Sequence, residues 1–90
     1  MKKEFYNIAK LVTKNAKILD VGCGNGELMK YINENISKDI RGIELSKSNV
    51  QICVEKGLTV IEGDAEKDLK QFPDSSFDFV ILSQTLQAFL

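Results

Sequence analysis

The segment Ile18-Leu19-Asp20-Val21-Gly22-Cys23-Gly24-Asn25-Gly26 limits what this chain can fold into more than any other. A short buried strand, Ile18 to Val21, runs into three glycines at alternate positions, and a helical pattern opens behind them at Glu27. Glycines so placed let the backbone approach a ligand with no Cβ in the way, beside the free N–H groups of a helix start. Strand, glycine turn and helix in that order form one unit of an alternating α/β fold.

The rest of the chain repeats the alternation. Phe5, Ile8, Ala9 and Val12 share one face and predict an N-terminal helix ending near Asn15. Glu27 to Asn35 reads as a helix with Leu28, Met29 and Ile32 on its apolar side. Asp39 to Leu45 is a second strand, followed by a helix that Ser46 caps and Gly57 ends. Thr59-Val60-Ile61 is a third strand, Ala65 to Gln71 a short helix, Pro73 to Ser76 a turn, and Phe77 to Ser83 a fourth strand. Such an order implies parallel strands joined by right-handed crossovers: an α/β, Rossmann-like, doubly wound parallel sheet. The fourth strand is apolar at nearly every position, so neighbours should flank it.

Composition narrows the function. Ninety residues, 43% hydrophobic and 28% charged, make one domain spanning 1–90, small for a sheet of this kind and apparently cut short after the fourth strand. A net charge of −1 with interspersed signs leaves no basic stripe for a phosphate backbone, which argues against nucleic acid. No segment approaches the ~20 apolar residues that span a bilayer, and no signal peptide is recognisable, so the expected location is cytoplasmic. With two cysteines and no histidine, no metal site is expected; Cys23 and Cys53 should be free thiols, Cys53 a small core residue on a helix.

Three carboxylates stand at strand ends. Asp20 precedes the glycines by two positions, where it would repel a pyrophosphate but favour the ammonium and sulfonium of S-adenosylmethionine; its competing role is to tie the loop by accepting backbone N–H bonds. The loop itself contributes Gly22, Cys23, Gly24 and Gly26 to the candidate cofactor site. Glu44 lies 22 residues after Gly22, about where a nucleoside-binding fold places a carboxylate on the ribose diol, with Leu45 beside it; the plainer role is a surface glutamate. Asp64 can accept from an adenine amino group while the Ala65 N–H donates to a ring nitrogen, or Asp64 can simply cap the next helix. Ser83 and Gln84, at the carboxyl end of the fourth strand, face the cleft or cap a following helix.

Together these residues resemble class I S-adenosylmethionine-dependent methyltransferases: Ile18 to Gly26 is similar to their first motif, Glu44 to the acidic position after strand two, and Gly63-Asp64-Ala65 to the adenine-reading turn. More narrowly, Arg41 to Glu44, Gly57 to Asp64 and especially Phe72 to Ala88 resemble the MetW family of methionine biosynthesis proteins. That resemblance implies a cytoplasmic protein acting with homoserine O-acetyltransferase. It also implies a seven-stranded sheet, of which this chain holds the N-terminal half. The outer edge of the fourth strand should then lie open to a partner or to a second copy in a homo-oligomer. No Asn-Pro-Pro-aromatic segment follows Ser83, which disfavours planar nitrogens of DNA or protein as acceptors and leaves a small molecule.

Three functions are carried forward: a methyltransferase acting on a small molecule, a cofactor-binding accessory subunit that regulates a partner enzyme, and a nicotinamide-dependent oxidoreductase. The last would want the longer G-x-G-x-x-G spacing. No catalytic residue is singled out, because displacement at an activated methyl needs alignment and exclusion of water more than a base.

Overall fold

The structure, a computed structural model, describes residues 1–68, 70, 76–83 and 87–89. Its elements run α1 (Lys3–Leu11), β1 (Ile18–Val21), α2 (Glu27–Asn35), β2 (Ile40–Glu44), α3 (Lys47–Glu55), β3 (Thr59–Glu62), α4 (Ala65–Asp68), β4 (Phe79–Leu82) and β5 (Gln87–Phe89). One sheet collects the strands in the order β3-β2-β1-β4-β5. The first four are parallel, with Ile18 opposite Ile40 on one side and Phe79 on the other.

Strand alternation divides the side chains between two faces. Ile18, Ile40, Val60, Phe79 and Ile81 join Ile8, Ala9 and Val12 near α1, Leu28, Met29 and Ile32 of α2, and Cys53 of α3 in the main core. Each fully buried aliphatic side chain there contributes roughly 1.5–3 kcal/mol of burial free energy. Leu19, Val21 and Ile43 face the other way, against Ala65, Phe77, Val80 and Leu82. Three helices thus layer one face, while the other has only α4 among the described residues and leaves Ile61 52% exposed.

Most element boundaries match the sequence pattern, and the departures have physical causes. The first helix stops at Leu11 rather than Asn15, because Val12 is already extended and Val12 and Thr13 are β-branched. Of the Ala65–Gln71 helix, Ala65–Asp68 is present; residues 69 and 71–75, with most of the expected turn, lie outside the described residues. The expected open edge of the fourth strand is corrected: β5 pairs antiparallel with β4, placing Ile81 opposite Ala88. A homo-oligomer built on a bare β4 edge therefore loses its basis, since that ladder is already occupied within the chain.

Two details pin the crossovers. Ser37 Oγ donates to the Ala16 carbonyl at 2.5 Å and accepts from the Asp39 amide at 3.2 Å, fixing the turn between α2 and β2 against the entry to β1. Gly42 lets α2 settle onto β2: a Cβ there would lie 2.7 Å from Met29 Sδ and 2.9 Å from Cys23 Sγ. Met29 is fully buried, so it has nowhere to retreat. Gly42→Ala is expected to lower stability by about 1–3 kcal/mol through overpacking, read as a lower urea midpoint with unchanged slope.

Candidate functional site

The loop from Gly22 to Gly26 joins β1 to α2 with all three glycines at positive φ, +69°, +60° and +83°. At Gly26 a side chain is excluded twice over, since a Cβ would also fall 2.6 Å from Leu58 Cδ1 and 2.9 Å from Cys53 Sγ. The loop is held from outside. The Gly22 amide donates to Ile43 O at 2.8 Å, and the Gly24 amide to Glu44 Oε1 at 2.8 Å. Cys53 Sγ donates to Gly24 O at 3.3 Å, and Lys56 Nζ to Asn25 O at 2.8 Å.

Glu44 does more than sit at a strand end. Its second oxygen accepts from the Ser46 amide at 2.9 Å, just before α3, while Ser46 Oγ caps that helix by accepting from the Asn49 amide at 3.3 Å. One buried carboxylate thus ties the glycine loop to the next helix. Each of its oxygens keeps a further lone pair for a ligand hydroxyl.

Asp20 is fully buried under the loop. Its Oδ1 accepts from the Ser83 hydroxyl, and its Oδ2 has no hydrogen-bond partner. Burial pushes this carboxyl up from 3.8 to about 7; the hydrogen bonds from Ser83 oppose the shift, and the charge of Glu44 adds slightly to it. The neighbouring thiols respond alike. Burial raises Cys23, reinforced by Asp20, Cys53 and Glu44, and burial also raises Cys53. Both are free and protonated, and Cys53 is the buried helical core residue that the pattern predicted.

Two cavities flank the loop. The larger, about 400 Å³, is lined by Lys2, Phe5, Cys23, Gly24, Asn25, Glu27, Asn49 and Ser83. The smaller, about 140 Å³, is lined by Val21, Gly22, Ile43, Leu45, Gly63, Asp64 and Ala65. The fold therefore gathers the sequence candidates into two adjoining groups: Cys23, Gly24 and Ser83 on one side, and Gly22, Leu45, Asp64 and Ala65 on the other. Asp20 and Glu44 are buried near the loop, and Gly26 supports it from behind. Gln84 lies outside the described residues.

Asp64 takes its capping role in full, with Oδ1 accepting from the Glu66 amide at 3.0 Å, while its own amide donates to Asp68 Oδ2 at 2.7 Å. Sequence reasoning missed Lys2, Phe5, Asn25, Glu27 and Asn49. Phe5 had been read only as part of an apolar helical face; that such a face also ends at a cavity depends on how α1 packs. Asn25 carries a local signal, since an asparagine between loop glycines can close a turn on the backbone two residues on, and its Oδ1 accepts from the Glu27 amide at 3.2 Å, one position ahead of the Gly26 N-cap.

The strand order with a glycine loop after β1 is that of a Rossmann-like sheet, and the likeness to solved structures makes it the fold of class I S-adenosylmethionine-dependent methyltransferases. It superposes on a TehB-like S-adenosylmethionine-dependent methyltransferase from Corynebacterium glutamicum with TM-score 0.71 and 26% identity, over 86% of this chain and 41% of that one. The chain belongs to the family described as Methionine biosynthesis protein MetW, whose profile matches residues 2–90. It is 32% identical over 90 residues to a bifunctional methionine biosynthesis protein MetXA/MetW of Rhodopirellula baltica, covering 91% of this chain and 14% of that protein. It is 33% identical over 88 residues to phosphoethanolamine N-methyltransferase 3 of Arabidopsis thaliana, covering 93% of this chain and 18% of that protein. The chain thus spans less than a fifth of either relative. No helix among the described residues is long and apolar enough to cross a membrane, and no cluster of metal-ligating side chains occurs among them.

The buried Asp20 makes a prediction about pH. Its folded value, about 7, lies above the unfolded 3.8, so across that window the unfolded chain sheds a proton that the folded chain keeps. Stability due to this group is therefore full below the unfolded value, falls as pH rises through the window, and levels off above about 7. Asp20→Asn carries no such proton. Its stability relative to wild type should increase by on the order of 1–4 kcal/mol between about pH 4 and pH 7.5, measured by urea unfolding. A gap that stays flat across that range would mean that Asp20 ionises normally in the folded chain.

Proposed function

We propose that this chain binds S-adenosylmethionine across the two cavities and forms the cofactor-binding part of a methyltransferase-like protein of methionine biosynthesis, with a small molecule as methyl acceptor. The observation that carries the reading is the unpartnered Oδ2 of Asp20, buried beneath a glycine loop flanked by cavities on both sides. A buried carboxylate draws positive charge toward the cavity that its partner Ser83 lines, and a ligand ammonium would supply that charge.

The residues fit the group. Leu45, Val21 and Ile43 offer apolar surface for a base in the smaller cavity, where Asp64 and the Ala65 amide supply an acceptor and a donor. Glu44 stands near the loop with lone pairs left for a ribose diol. Cys23, Gly24 and Ser83 line the larger cavity for the methionine end. When bound, the cofactor supplies a methyl group already activated by its sulfonium. The chain's own residues bind, orient and shield, which is the main protein contribution to such a displacement.

The second reading, an accessory subunit that binds the cofactor and regulates a partner enzyme, is favoured by one observation. The relative from Rhodopirellula baltica carries MetXA and MetW in a single name and a single chain. Fusion in a relative supports physical association, and the partner we propose is homoserine O-acetyltransferase. The nicotinamide alternative is weakest, because a pyrophosphate would meet Asp20 and Glu44 as well as the shorter glycine spacing.

Isothermal titration of the full chain tests the reading: saturable binding of S-adenosylmethionine is expected, with none of NAD. Glu44→Ala should weaken cofactor binding by about 1–3 kcal/mol through lost charge-assisted bonds. It should also lower the thermal midpoint, since the Gly24 and Ser46 amides lose their acceptor. Binding of NAD alone would reverse the assignment, and unchanged affinity in Glu44→Ala would remove the ribose role.

A further inference from the structure

The larger cavity has one wall that the glycine loop does not build. Lys2 and Phe5, at the start of α1, contribute it. The Lys2 ammonium stands 5.6 Å from the centre of the Phe5 ring, an arrangement that restrains a long side chain at a cost below that of an ion pair. Glu27 lies on the same cavity, but its carboxylate is taken by the Met1 ammonium at 3.6 Å. Among the described residues, no carboxylate lies within ion-pair distance of Lys2.

Lys2 therefore puts an unpaired cation on a cavity whose other wall is the glycine loop, while Ser83, on the same cavity, is hydrogen-bonded to the carboxylate of Asp20 buried behind it. A ligand ending in an α-amino acid carries the complement of both, an ammonium and a carboxylate on one carbon. A lysine is suited to the carboxylate, being a compact charge on a flexible stem that can follow a single anionic group.

We propose that Lys2 is the carboxylate-recognising residue of this cavity, selecting ligands whose amino-acid end keeps its α-carboxylate. The inference deepens the S-adenosylmethionine reading and rests on it. Lys2 is not needed to fold the chain, because it is exposed and precedes the first helical residue.

The test compares S-adenosylmethionine with its decarboxylated form, which keeps the adenosine, the sulfonium and the amine and lacks only the carboxylate. Both are titrated calorimetrically into the full chain with an untagged N-terminus, as wild type, Lys2→Gln and Lys2→Arg. Wild type should prefer the carboxylated ligand by about fivefold, the size of a partly exposed charge-assisted pair. Lys2→Gln should lose that preference while binding the decarboxylated ligand as wild type does, and Lys2→Arg should restore it. A preference that survives in Lys2→Gln, or an equal loss for both ligands, overturns the assignment. Equal binding of both ligands by wild type overturns it while leaving the proposed function standing. Binding of neither by wild type overturns both.

Discussion

The carboxylate of Glu44 is the point on which the site depends. It closes β2, accepts the Gly24 amide from the loop after β1, and accepts the Ser46 amide ahead of α3. Three consecutive elements of the α/β alternation are registered on one side chain. Without it, the amide of a left-handed glycine at φ +60° would lose its acceptor within a half-buried turn. The other bonds that hold the loop come from Ile43, Cys53 and Lys56, because glycines bring no side chains with which to hold themselves. A residue expected to serve a ligand thus builds the loop's own support, and each of its oxygens keeps a lone pair that the loop does not use.

Much of this was legible in the sequence because local signals and tertiary demands agree. Ile18 to Val21 is strand-forming, bounded by glycine and apolar, and it occupies the middle of the sheet; Ser46 and Gly57 bracket α3 as cap and terminator. The misreadings arose where a distant contact decides. The helical period of Phe5 to Val12 gave no reason to stop at Leu11, since the termination comes from β-branched residues entering an extended segment. The antiparallel β5 was invisible because three residues, Gln87 to Phe89, form a strand only by virtue of β4 lying beside them. The cavity wall formed by Lys2 and Phe5 was hidden for the same reason: nothing local distinguishes a lysine beside a cleft from a lysine in water. The motifs drew attention to the carboxylates, but their hydrogen bonds belong to the fold, and Asp64 in particular caps a helix.

Charge, more than shape, separates the candidate ligands. A unit charge about 5 Å from a buried carboxylate gains or loses roughly 3 kcal/mol at the effective dielectric typical of such sites. With Asp20 and Glu44 both near the loop, an anionic group would be disfavoured there and a cationic one favoured to the extent that these carboxyls are ionised. The burial of Asp20 makes this preference conditional on pH. Burial holds its carboxyl at about 7, so near neutrality this group carries a proton much of the time and avoids a full unpaired anion. A carboxyl left at 3.8 would carry no burial penalty; the rise to about 7 is the cost of burying its charge, and it falls on the fold as pH climbs through that window.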